Sequence, residues 1–250
     1  MWLRKKIKGQ WKISDFMNYF TILQHVLTTC FMFVAAAVWG VAAIPSVYMF
    51  LCSYEFLEST TPILKVLGIS LSLGAGYILW GVSTVLLTGI IGFIIRPRLK
   101  ESRVPLRSLI TIRWGIIGAL TRLRYNWMQL ISPSWVSNVH YKMMGCKIGK
   151  NVQINTANLN DAFMVEIGDG AVIGGGASIN AHLVEKGELV LAPVIIGPNS
   201  IIGAHSLITP GCEIGEGAVV AASAVLSKWT KIPSNEVWGG IPAKFIKKIN

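Results

Sequence analysis

The chain carries four histidines, and one of them, His182 in SINAHLVEKG, stands where an imidazole can do chemistry. With an ordinary pKa of ~6.5, an imidazole can take a proton from an acceptor near neutral pH, the work of a general base. Aliphatic residues recur around it in sixes. Counted from Ile179, His182 falls three positions on, at an outward-facing corner just before the spacing breaks. His205 holds the same place relative to Ile202 but inside an unbroken stretch, which makes it the second candidate. His140 precedes the sixes and His25 adjoins an apolar run. Two carboxylates lie in irregular segments near His182: Asp161 in NLNDAFMV and Glu185 in VEKGELVLAPV. Either can orient the imidazole or anchor a cationic amine; a solvated loop acid is the plain alternative for both.

Metal chemistry is not expected. His182 and His205 are 23 residues apart, which is not a multiple of an 18-residue coil, and no third histidine joins them. A zinc centre of the carbonic anhydrase kind is therefore disfavoured. Cys30, Cys52, Cys146 and Cys212 form no C-x-x-C pair, so neither a disulfide framework nor structural zinc is expected. Their pattern is compatible with a reducing compartment.

The elements that must hold these groups are legible in the spacing. Ile148, Ile154, Ile167, Ile173, Ile179, Ile196, Ile202, Ile208, Ile214, Val220 and Leu226 keep a period of six, broken twice. Four positions after most of them stands a small or apolar residue, as at Val152, Ala171, Ala177, Ser200, Ser206, Cys212, Ala218 and Ala224. Each hexad is a short parallel strand plus a corner, and three of them close a triangular coil of about 18 residues with the aliphatics inside. Ile148 to Ile167 is 19 residues, which places an extra residue in 158–165. Ile179 to Ile196 is 17, which places a second irregularity in 184–194. Breaks in a regular wall push loops outward, where function concentrates.

The first half reads differently. Hydrophobic residues make up 52% of the chain and charged residues 14%, too apolar a balance for an ordinary soluble protein. No Asp, Glu, Lys or Arg occurs from Phe16 to Tyr54, and a second charge-free run covers Val66–Ile95. A ~30 Å bilayer core needs about 20 helical residues, so two transmembrane helices are expected near 26–52 and 66–95. Pro45 can kink the first, and Gly74, Gly76, Gly81 and Gly89 give the second small surfaces for close packing. Buried core helices and a cleavable signal peptide are the disfavoured alternatives.

The net charge of +11 falls on the flanks of these runs. Arg4, Lys5, Lys6, Lys8 and Lys12 precede the first; Arg96, Arg98, Lys100, Arg103 and Arg107 follow the second. The loop between holds Glu55, Glu58 and Lys65. The positive-inside rule then places both termini and the repeat half in the cytoplasm, at the inner membrane. Because the basic excess is spent there, on membrane lipids, nucleic-acid binding loses its support. Residues 105–131 mix apolar residues and tryptophan with Arg107, Arg113, Arg122 and Arg124 and carry no acid. They read as helices lying in the headgroup layer, or as a helical cap packed on the repeat half, and the two are compatible.

Hexads of this form are the signature of the left-handed parallel β-helix, and the left hand is what the resemblance implies. The end of the repeats, AASAVLSKWTKIPSNEVWGGIPAKFIKKI, resembles the final coil and tail of hexapeptide acyltransferases. In that family, a phosphopantetheine arm lies in the groove between coils of neighbouring subunits. The resemblance implies that backbone groups at Gly203 and Ala221, Ala222 and Ser223 meet its amides, that Pro242 and Lys244 of the terminal turn lie near its phosphate end, and that Trp238 and Gly240 also belong to the cofactor-binding set. The membrane hairpin, basic linker, MGCKIGKNV, IGDGAVI, AHLVEKG and VWGGIPA together resemble one unit of the membrane domains of ε-poly-L-lysine synthetases. That implies transfer of an acyl or aminoacyl group from a thioester, on a carrier protein or coenzyme A, to an amine or hydroxyl, by a homotrimer without a metal. O-acetylation of a lipid-linked saccharide from acetyl-CoA is the alternative, and a non-catalytic scaffold is a second. The expected organisation is a basic juxtamembrane segment (1–25), two transmembrane helices (26–95), a basic interfacial helical linker (96–143), the β-helix (144–231) and a tail (232–250).

Overall fold

The computed structural model describes residues 19–96 and 99–249. Arg4, Lys5, Lys6, Lys8, Lys12 and Arg98, part of the charge argument, lie outside the described residues. The chain falls into two compact units, 1–37 and 38–250. Of the first, the described part is the opening half of helix α1 (Tyr19–Phe56). Helix α2 (Pro62–Ile95) starts at Pro62, whose fixed φ and missing N–H suit a first helical turn. Both helices are long and apolar enough to cross a membrane by length and composition. They overrun the expected 26–52 and 66–95: α1 begins inside the charge-free run and ends just past it at Phe56, and Lys65 sits in the first turn of α2.

The second half of α2 is not bare. It packs against three linker helices: α3 (Leu109–Leu123), α4 (Tyr125–Ile131) and α5 (Trp135–Met143). Gly81 permits this approach, since a Cβ there would stand 2.5 Å from the Trp127 ring. Ser108 caps α3 by accepting from the Thr111 N–H, and a Ser134–Ser137 capping box starts α5. Trp39 and Trp80 tie the layer together, donating to the carbonyls of Leu123 (3.1 Å) and Trp39 (3.0 Å). Of the four linker arginines, Arg107, Arg113 and Arg122 are exposed, but Arg124 is buried with its guanidinium 5.1 Å from the centre of the Tyr141 ring. Arg124 therefore does not meet lipid headgroups, and burial lowers its pKa. A strand at Ser102–Pro105, not foreseen in the helical linker, precedes α3.

Beyond α5 the hexads stack as three parallel sheets. Ile148, Ile167, Ile196, Ile214 and Ile232 share one face; Ile154, Ile173, Ile202, Val220 and Trp238 the second; Ile179, Ile208 and Leu226 the third. The interior aliphatics are almost wholly buried, and so are Ala171, Ala177, Ala218 and Ala224 at the bends. Ser200 and Ser206 are buried there too, and satisfy their hydroxyls on the carbonyls of Gly197 and Gly203. From Asn199 to Asn235, every sixth residue turns a corner with positive φ. The coil does not end at 231: Glu236–Gly240 adds a further rung, then folds back as an antiparallel hairpin on Ala243–Lys248.

The two breaks differ in kind. Within 158–165, Asp161 takes a left-handed conformation (φ 55°) and opens a 3-10 turn at Ala162–Met164. The second is not a one-residue slip. Ile179 pairs with Ile208, a step of 29 residues where neighbouring rungs step by 18. The wall thus holds an eleven-residue excursion, most of it a β-hairpin of His182–Glu185 and Glu188–Leu191.

Candidate active site

The hairpin sets the site. Ala192 N–H closes its base on the Ala181 carbonyl (3.0 Å), and Lys186 and Gly187, both with positive φ, form the tip. Positive φ at both central residues is the turn whose twist suits a two-residue hairpin. Ser102–Pro105 joins its outer edge antiparallel, pairing Ser102 with Leu191 and Arg103 with Val190. His182 is consequently a strand residue opposite Leu191, not a coil corner. Alternation puts His182, Val184, Leu189, Leu191 and Val104 on one face and Leu183, Glu185, Glu188, Val190 and Arg103 on the other.

On the first face His182 meets Asp161. Its Nδ1 lies 2.5 Å from Asp161 Oδ2, with the imidazole 27% and the carboxylate 6% exposed. A carboxylate only accepts, so the proton sits on Nδ1 and the Nε2 lone pair is left for a substrate. Among the described residues Nε2 makes no hydrogen bond, and the ring remains partly open to solvent. Asp161 holds its place in a buried left-handed conformation that costs a non-glycine residue free energy, a feature common at functional sites. Its other oxygen accepts from Trp114 Nε1 of α3 (2.7 Å), and the Trp114 ring centroid is 4.7 Å from that of His182. Sequence reasoning missed Trp114; only its place in an acid-free linker made it noticeable.

Glu185 does not join the dyad. It lies on the opposite face, where Lys228 Nζ approaches both of its oxygens (2.6 and 2.5 Å) and Arg103 pairs with it. Those cations, hydrogen-bonded Lys228 foremost, hold its carboxyl below the usual range. His205 is an exposed corner residue whose ring lies over Gly176. His140 is buried, with Nδ1 2.8 Å from the Val85 carbonyl, and burial drives its pKa down to about 3. Neither shares the acid partner that marks His182.

The remaining candidates gather on another edge of the prism. Gly203, Ala221 and Gly239 stack in one column, so tightly that a Cβ at Gly203 would stand 2.4 Å from Ala222 N. The N–H groups of Gly203, Ala221 and Ser223 are committed within the coils, to the carbonyls of Val220, Trp238 and Ala204. Ser223 also turns a corner at φ 58°. Trp238 is half-buried and donates to Glu236 (2.9 Å). Gly240 and Pro242 lie at the turn of the final hairpin, and Lys244 on its return strand is exposed. No hydrogen bond links this column to His182 or Asp161 among the described residues.

Residues 193–228 match the family model of bacterial transferase hexapeptide repeats. The chain is 28% identical over 148 residues to a delta-poly-L-ornithine synthetase of Acinetobacter baumannii, covering 59% of this chain and 11% of that one. It is 34% identical over 125 residues to the galactoside O-acetyltransferase of Escherichia coli, covering 47% of this chain and 57% of that one. Both matches thus span well under two thirds of the relative's own length. A solved galactoside acetyltransferase in complex with coenzyme A superposes with a TM-score of 0.40 at 27% identity, covering 52% of this chain and 81% of that one. The chain thus carries hexapeptide repeats of the bacterial transferase kind, and the relatives that share them include acyltransferases.

Proposed function

We propose that this protein transfers an acyl or aminoacyl group from a phosphopantetheine thioester, on coenzyme A or a carrier protein, to an amine or hydroxyl acceptor at the cytoplasmic face of a membrane. The observation that carries the reading is the Asp161–His182 pair, 2.5 Å apart, at the break in an otherwise regular acyltransferase wall. His182 Nε2 takes the proton of the acceptor N–H or O–H as the heteroatom attacks the thioester carbonyl. The tetrahedral intermediate then collapses, the carbon–sulfur bond breaks, and the thiolate leaves as a thiol with the proton His182 held. Asp161 keeps the productive tautomer and balances the charge on the imidazolium.

In this reading the coil is left-handed and the enzyme a homotrimer. The hairpin leaves the prism at the corner after Ile179, whereas the Gly203–Ala221 column follows Ile202 and Val220, on a different edge. A donor lying along that column, with Ala222, Ser223, Trp238, Gly240, Pro242 and Lys244 about it, would meet the His182 of a neighbouring copy. The two apolar helices anchor the enzyme in the bilayer, which suits a lipid-linked acceptor or a product leaving through the membrane. O-acetylation of a lipid-linked saccharide is the second reading, favoured by the match to a galactoside O-acetyltransferase.

The test is thiol release by the full chain in detergent micelles. Acetyl-CoA and aminoacyl-pantetheine are offered with amine and saccharide acceptors, and acceptor-dependent thiol release is expected with one pairing. His182→Ala should abolish it; undiminished release in that variant would sink the assignment. A chain inert toward every donor would point instead to a scaffold.

A further inference from the structure

We propose that Trp114 is a positioning residue for His182, acting through Asp161, so that the linker beside the membrane helices completes the dyad. The inference rests on the reading of His182 as the base. Asp161 lies in an irregular loop, and a carboxylate bonded only to one mobile imidazole can still swing about its own torsions. Here its two oxygens are divided between two donors: Oδ2 faces His182 Nδ1 and Oδ1 accepts from Trp114 Nε1 (2.7 Å). An indole N–H only donates and cannot change role, so it fixes the carboxylate plane and, through it, the imidazole tautomer. The same indole walls the imidazole from the side, its ring tilted 58° to it at 4.7 Å.

Trp114 is itself held from outside the coils. Thr111 Oγ1 bonds the Pro105 carbonyl (3.1 Å) and the strand that ends there is zipped to the hairpin carrying His182. On its other side α3 buries Ile117, Leu120 and Leu123 and packs on α2. Base, acid and donor thus come from three places: the hairpin, the first break in the coil, and the linker. The hexapeptide wall alone lacks the third.

The tautomer of His182 reads this directly, without any substrate. In the full chain in micelles, labelled with ¹⁵N-histidine, the long-range proton–nitrogen correlations of His182 should report the Nδ1–H form alone. Trp114→Phe, which keeps a ring and loses the donor, should raise the Nε2–H fraction at least tenfold. Asp161→Asn should abolish the Nδ1–H form, because its oxygen stays with Trp114 and its NH₂ faces Nδ1; adding Trp114→Phe frees that oxygen to accept from Nδ1–H and should restore part of the form. A benzothienylalanine at position 114, the indole with sulfur for N–H, repeats the test without altering packing should the phenylalanine variant fold poorly. A parental tautomer ratio in both position-114 variants would overturn the proposal, as would a double variant with the same tautomer as Asp161→Asn alone. Failure of the underlying reading looks different: thiol release would survive His182→Ala while the tautomer still responded to Trp114.

Discussion

Replacing Asp161 by asparagine asks the site a question whose answer the hydrogen bonds dictate. The carboxylate accepts from two donors, Trp114 Nε1 and His182 Nδ1, one on each oxygen. A carboxamide offers one accepting oxygen and one donating NH₂, so one partner must face a donor. Trp114 cannot give up its proton, but an imidazole can move its own from Nδ1 to Nε2. The oxygen therefore stays with Trp114, the NH₂ donates to Nδ1, and Nε2 becomes an N–H with no lone pair for the acceptor. Forcing the productive arrangement leaves two buried donors facing each other, at about 1–3 kcal/mol, which keeps roughly one molecule in ten to a hundred competent. Loss of the charge that balances the imidazolium removes on the order of another ten- to hundredfold. The product is a fall in kcat of about 10²–10⁴, or about 3–6 kcal/mol at ~1.4 kcal/mol per decade, with KM for the donor unchanged. Thiol release under saturating donor measures it, and thermal unfolding checks that the near-isosteric variant stays folded. A kcat within threefold of the parent would refute the reasoning.

Three further outcomes follow from the same structure. The folded His140 pKa is about 3, below its ordinary 6.5, because burial and then Arg124 disfavour the charged ring. The unfolded chain therefore takes up a proton that the folded one refuses as pH falls below ~6.5. Stability should drop by about 1.4 kcal/mol per unit, roughly 2 kcal/mol at pH 5. His140→Gln should lose that much less between pH 7 and pH 5, and equal losses in unfolding scans would contradict the assignment. Cys146 is pushed up to about 12 by burial and, second, by Glu166. Since thiolate is the reacting form, alkylation by iodoacetamide at pH 8 should run on the order of a thousandfold slower than for the unfolded chain, and rapid labelling by mass spectrometry would refute it. Gly203→Ala drives a Cβ into the backbone of Ala221–Ala222, and backbone cannot step aside. It should cost about 1–3 kcal/mol of stability, read as a lower Tm; an unchanged Tm with a raised donor KM would mean the glycine serves the donor instead.

The amino-acid sequence by itself determined the helices and the coil, because both depend on patterns that repeat along the chain. A charge-free run of thirty residues has few alternatives to a long apolar helix. A period of six sends the same residue inward whichever coil lies above, so Ile202 stacks on Val220 and Ile208 on Leu226 as their regular spacing required. It also marked where the pattern fails, and both His182 and Asp161 lie at those failures. Tertiary structure decided what a failure becomes. A 17-residue interval reads equally as a slip of one or as a hexad plus an eleven-residue excursion, and only the pairing of Ile179 with Ile208 separates them. Once His182 and Glu185 are neighbours on a strand, their odd spacing sends them to opposite faces, which is why Asp161 and not Glu185 meets the imidazole. The burial of Arg124 among basic neighbours, and the arrival of Trp114 from 47 residues upstream of Asp161, are likewise matters of packing. A repeat fixes its interior locally, but the groups that leave the wall are placed by contacts remote in sequence, and the candidate site is made of those.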